Sequence, residues 1–125
     1  ARPPRGDIVG AVHDLAPLFN RHRVFVAPTR FAGGLPFKVQ EAAAFGVPMV
    51  ITSLLASQVG WKDGEELLSA AADDAEGFAS GVARLYQDSA LWARLRDGAL
   101  KAVERDCAPA RFRQDLSSIL QACIA

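Results

Sequence analysis

Residues 23–48 read Arg-Val-Phe-Val-Ala-Pro-Thr-Arg-Phe-Ala-Gly-Gly-Leu-Pro-Phe-Lys-Val-Gln-Glu-Ala-Ala-Ala-Phe-Gly-Val-Pro. Within them, residues 24–27 are a short apolar run of β-formers, which predicts a strand buried on both faces. Pro28 stops that strand because it offers no N–H to a ladder. Residues 29–34 form a loop with two adjacent glycines, Gly33 and Gly34. Residues 35–45 then read as a helix with Pro36 in its first turn, where the missing N–H costs nothing. Gly46 ends the helix and Pro48 blocks its continuation. A strand, a glycine loop and a helix start in succession make an anion site, since free backbone N–H groups and the helix dipole face the loop.

Three charged side chains refine this reading. Lys38 is a cation near the helix start, where it opposes the dipole unless an anion is shared with it. Glu41 follows three residues later, about 60° round the helix, so both side chains can address one cleft. Arg30 adds a second cation from the loop. The plainer reading is a solvated helix face on which Lys38 and Glu41 pair with each other, and spacing alone does not separate the two.

The wider pattern carries a family resemblance. Arg30, Phe31, Gly34, Lys38, Val39, Glu41 and Ala42 match the loop Arg-Phe-x-x-Gly-x-x-x-Lys-Val-x-Glu-Ala. That loop resembles the C-terminal half of GT-B-fold retaining glycosyltransferases of group 1, family 4-like, which use nucleotide-diphosphate sugars. Val24-Phe25-Val26-Ala27-Pro28 before it fits, as do Gly46-Val47-Pro48-Met49-Val50 and the later Ala72-Asp73-Asp74-Ala75-Glu76-Gly77-Phe78. The similarity extends over most of the chain, from about Ile8 to Leu116. One position departs: many relatives carry a Glu-x7-Glu pair, and Glu41 matches its second member while Gly33 stands at the first.

The resemblance implies a function. The donor would lie between two Rossmann-like domains, held mainly by the C-terminal one, to which residues 1–125 would correspond; the N-terminal, acceptor-binding domain would be absent. Glu41 would accept hydrogen bonds from ribose hydroxyls. Arg30, Lys38 and the N–H groups around Gly33, Gly34 and Leu35 would face the diphosphate, with Lys38 and Arg30 stabilising the charge that grows on the leaving group. No metal and no cofactor beyond the sugar nucleotide would be required, and the chain alone would be inactive. Two other readings stay open: a GT-B-fold nucleotide-sugar epimerase, and a non-catalytic Rossmann-like binding domain.

Composition excludes other classes. The chain has 125 residues, enough for one domain with a real core, of which 50% are hydrophobic and 22% charged. Fourteen basic residues balance fourteen acidic ones, so no polyanion-binding surface is indicated and nucleic acid is not an expected partner. No apolar run approaches the ~18 residues of a membrane helix, and a cytoplasmic location is expected, either free or at the inner face of the membrane. Cys107 and Cys123 make no Cys-x-x-Cys arrangement, and with only His13 and His22 beside them a zinc site has little to build on.

Elsewhere the chain alternates strand and helix signals. Residues 1–6 read as an extended lead-in, and residues 7–12 as a strand in which Gly10 marks a close backbone approach. Asp14 suits the N-cap of a helix through about His22. His13, between the two, sits where ligands gather on open sheets, although a lone loop histidine is more often solvated. Residues 48–52 give a second buried strand, and residues 53–60 a short helix or packed turn. Residues 61–65 turn on Asp-Gly, and residues 66–70 are the last strand. Trp61 suits the core or a lid better than stacking on a base. Asp73 or Asp74 caps a helix over 75–87, with Phe78, Val82 and Leu85 inward. Ser89 caps another to about Asp106, with Leu91, Leu95, Leu100 and Val103 as its stripe. Pro109 opens a final helix over 110–123, with Phe112, Leu116, Ile119 and Leu120 on one face. Uncovered, that last stripe would favour self-association. The expected fold is a three-layer Rossmann-like α/β domain with about four parallel strands and a helical C-terminal tail.

Overall fold

Met49–Thr52 (β2) is the middle strand of the sheet and all four of its residues are buried. The computed structural model that shows this describes residues 6–31, 33, 36–107 and 117–122. In chain order the elements are α1 (Ala16–Arg21), β1 (Phe25–Ala27), α2 (Phe37–Ala44), β2, α3 (Ser53–Val59), β3 (Leu68–Ala70), α4 (Ala75–Gln87) and α5 (Ser89–Cys107). The sheet order is β1-β2-β3, all parallel, with Phe25 opposite Met49 and Val50 opposite Leu68. Two consecutive right-handed crossovers stepping the same way must place their helices on the same face. Accordingly α2 and α3 pack with Met49, Ile51 and Leu67 on one side. The chain then changes sides, and α4 covers Val50 and Leu68 on the other with Leu85, Phe78 and Val82.

α5 closes the end of the sheet where the strands begin. Trp92 Nε1 donates to the Arg23 carbonyl at 2.9 Å, just before β1, and the Arg23 guanidinium lies 4.8 Å over the same indole. Arg96 lies against Gly46 before β2, and Gly98 against the Glu65 carbonyl before β3. Trp61 is a core residue, 4% exposed, with Nε1 donating to Asp106 Oδ2 at 2.9 Å. Its indole is thus committed to the α5 end of the domain, not to a base.

Local signals set most boundaries. Gly46 adopts φ +74°, the left-handed conformation that ends α2 at little steric cost. Asp74 caps α4 through Gly77 N at 2.9 Å. The α5 cap is Asp88, accepting from Leu91 N at 3.0 Å, in place of the expected Ser89. One residue earlier was enough, because an aspartate side chain reaches the same N–H groups. The buried stripe of α5 is Leu91, Leu95, Ala99 and Ala102, while Leu100 and Val103 are only half-buried. Residues 53–60, left open between helix and turn, are helical because Thr52 caps α3. Asp14 Oδ1 accepts from Ala16 N at 3.0 Å, although Leu15 holds the N-cap position of α1.

Five expectations are corrected. Among the described residues the sheet has three strands, not four. Residues 7–12 are not a strand: Gly10 has φ +78°, which breaks an extended backbone, and a Cβ there would meet nothing within 4 Å. Ile8 and Val9 stay 71% and 61% exposed. β1 is therefore an edge strand and not one buried on both faces; Val26 is 42% exposed because α4 covers β2 and β3 instead. α2 starts at Phe37 with Pro36 as its N-cap, so Pro36 stands outside the helix. The last strand is also shorter than expected, Leu68–Ala70, since Gly64 N donates to the Leu67 carbonyl in the preceding turn. Residues 117–122 are helical and exposed, Ile119 at 60% and Leu120 at 52%. Phe112, Leu116 and Cys123 lie outside the described residues, so their share of the tail stripe is not described.

Candidate functional site

The site is built where β1 and β2 end. Thr52, the last residue of β2, is 1% exposed, and its hydroxyl donates to the Thr29 carbonyl at 2.8 Å. The same oxygen accepts from Leu55 N at 3.4 Å, capping α3. One buried hydroxyl thus fixes both the start of α3 and the first turn of the loop after β1. Thr29 in turn presents its own hydroxyl to Lys38, whose ammonium donates to Thr29 Oγ1 at 2.8 Å.

That bond bears on the plainer of the two sequence readings of Lys38. Its Nζ is directed to the loop and not to Glu41, so the surface pair does not form. α2 has no acidic residue in its first turn and no side-chain cap. Lys38 is thus a cation in the first turn of a helix with no acidic side chain there to balance it, a concentration of positive potential that an anion would relieve. An ammonium has three N–H donors, and Thr29 takes one.

Lys38 stands on a ridge between two cavities. On one side is a space of about 320 Å³ along the edge of β1, lined by Glu41 together with apolar residues of α1 and β1, among them Leu18, Phe19 and Phe25. On the other is a space of about 280 Å³ between the start of α2 and one flank of α3, lined by Thr29, Phe31, Gly33, Phe37 and Gln58. Phe19 shapes the first cavity by stacking on Phe45 at 5.0 Å and tilting against Phe25 at 6.0 Å.

The expected site residues divide accordingly. Lys38 meets Glu41 on one cavity and Gly33 on the other. Arg30 is separate: it lines a third space of about 360 Å³ with Val26, Asp73 and Phe78, on the α4 side of β1. Gly34 and Leu35 lie outside the described residues. His13 is exposed ahead of α1 and lines none of these three spaces. His22 is exposed as expected, its Nδ1 donating to the Leu18 carbonyl at 2.6 Å. Among the described residues no three His, Cys, Asp or Glu side chains are grouped to hold a metal ion, and no helix is long and apolar enough to cross a membrane.

Thr29, Thr52 and Phe37 escaped the sequence reading as site residues. A threonine closing a buried strand immediately before a helix was the available signal for Thr52. Nothing local marked the Thr29 hydroxyl as a partner for a lysine nine residues on.

Comparison with known proteins identifies a family and no individual relative. No curated protein and no solved structure matches the chain. A family model for glycosyl transferases group 1 matches residues 3–88, a span that takes in the whole sheet, the ridge around Lys38 and α4. The match covers well over half of the chain, which therefore belongs to the group 1 glycosyl transferases.

Proposed function

We propose that this chain is the donor-binding domain of a glycosyltransferase, and that the ridge at Lys38 holds the diphosphate of a sugar nucleotide. The observation that carries this is Lys38, in the first turn of the uncapped helix α2 with its ammonium held to Thr29 Oγ1 at 2.8 Å, in a chain of this family. Glu41, on the β1-edge cavity, accepts hydrogen bonds from the ribose hydroxyls, since one carboxylate can serve two neighbouring O–H groups.

In transfer, the bond from the anomeric carbon to the phosphate oxygen breaks and its electron pair stays with the diphosphate. The acceptor oxygen bonds to that carbon and its proton leaves to phosphate or water. Lys38 and the α2 N–H groups act by stabilising the negative charge gained, with no metal in the reading. Arg30 lines the space on the α4 side of β1 and would join the same phosphates only by extending round the strand end. A companion N-terminal domain supplies the acceptor site.

Calorimetry with UDP, GDP and uridine tests this on wild type and Lys38→Ala. A nucleoside diphosphate should bind, and the substitution should weaken it at least tenfold, about 1.4 kcal/mol, while uridine is little affected. Equal loss for all ligands, or no diphosphate binding by the wild type, would refute the assignment.

A further inference from the structure

Phe31 is 90% exposed and Phe37 69%, and both line the same 280 Å³ cavity as Lys38. Large apolar rings so placed forgo their burial unless a ligand supplies it. They flank the glycine loop, Phe31 where the chain enters it and Phe37 at the first position of α2. Between them Gly33 brings no side chain into the space.

We propose that Phe31 and Phe37 form an aromatic clamp for the transferred sugar ring of the donor. The proposal rests on the diphosphate reading of Lys38 and extends it by direction. Lys38 borders two cavities, and Glu41 lines only the one along β1. With phosphate at the ammonium and ribose at Glu41, the glycosyl group falls on the opposite side, between the two phenyl rings. The chemistry fits a pyranose: its C–H face carries a slight positive charge that suits the negative face of an aromatic ring. Its edge hydroxyls need hydrogen-bonding partners, which Thr29 and Gln58 on the same wall provide. The space lies near the lower end of small-ligand pockets, roughly 300 Å³, so it takes one sugar ring and not a nucleoside as well.

The test compares UDP with UDP-glucose and GDP with GDP-mannose by calorimetry, on wild type, Phe31→Ala, Phe37→Ala and Phe31→Tyr. Loss of one aromatic stack should weaken the sugar nucleotide about fivefold and leave the parent diphosphate within about twofold, and Phe31→Tyr should restore the difference. Melting temperature should hold in Phe31→Ala, because an exposed ring contributes little to the core. Equal loss on diphosphate and sugar nucleotide would mean that the rings serve a base or the fold, and overturns the clamp. So does unchanged binding in both alanine variants, which would turn the rings toward another protein surface. If diphosphates bind in a Lys38-dependent way while the alanine variants change nothing, only the clamp fails. If wild type binds none of the four probes, the diphosphate reading fails and the clamp with it.

Discussion

Thr52→Val is the substitution that most directly tests how the fold builds the site. Valine replaces the hydroxyl with a methyl of nearly the same shape, so packing is kept while two hydrogen bonds are removed. The hydroxyl donates to the Thr29 carbonyl at 2.8 Å and accepts from Leu55 N at 3.4 Å, in a residue only 1% exposed. A buried backbone group left unsatisfied costs about 1–3 kcal/mol, and loss of a threonine N-cap typically costs about 1 kcal/mol. The 3.4 Å bond is long, so the cap loss falls at the low end. The valine side chain returns part of the loss by burying an extra apolar group, up to about 0.8 kcal/mol. The net expectation is a destabilisation of about 2 kcal/mol. In a domain of this size that lowers Tm by roughly 6–10 °C. Thr52→Ser is the control: it keeps both hydrogen bonds, loses one methyl, and should cost about 1 kcal/mol. Differential scanning calorimetry and urea titration of the three proteins decide the order. Thr52→Val should also weaken diphosphate binding, because Thr29 is the anchor of Lys38 and loses its own support. A valine variant as stable as wild type, or more stable than the serine variant, would refute the view that this hydroxyl holds the loop.

Further outcomes follow from other residues. Gly98→Ala places a Cβ inside contact distance of the Glu65 carbonyl oxygen; overpacking against backbone costs about 1–3 kcal/mol and outweighs the helix preference of alanine, about 1 kcal/mol, so urea denaturation should show a net loss of stability. Glu41→Ala should weaken sugar-nucleotide binding by about 1.5–3 kcal/mol, the worth of hydrogen bonds to a charged group, without lowering Tm, because Glu41 is exposed; unchanged binding in calorimetry would remove Glu41 from the site. Ile119 and Leu120 are 60% and 52% exposed on the tail helix, and burying such surface yields roughly 25 cal/mol per Å². The chain should therefore self-associate at high concentration through this helix, and a strictly monomeric chain in light scattering would count against that.

The sequence by itself determined the alternation of strand and helix from β1 to α5, apart from the open stretch at 53–60, and the stops at Gly46 and Pro48. These are signals between residues no more than about four apart: caps, turns and periodicity act through local backbone geometry. The family resemblance was legible for the same reason, since its motif is one contiguous run around Lys38. Only the tertiary structure decided that residues 7–12 do not join the sheet, that Val26 lies on an exposed edge, and that α5 closes the end opposite the site. It alone sent the Lys38 ammonium to Thr29 instead of Glu41 and put Arg30 on the far side of β1. It also gave Trp61 its partner Asp106, 45 residues away. Strand pairing, burial and the aim of a long side chain depend on which distant segments pack together, and that is settled by the free energy of the whole core, not by any window of the chain.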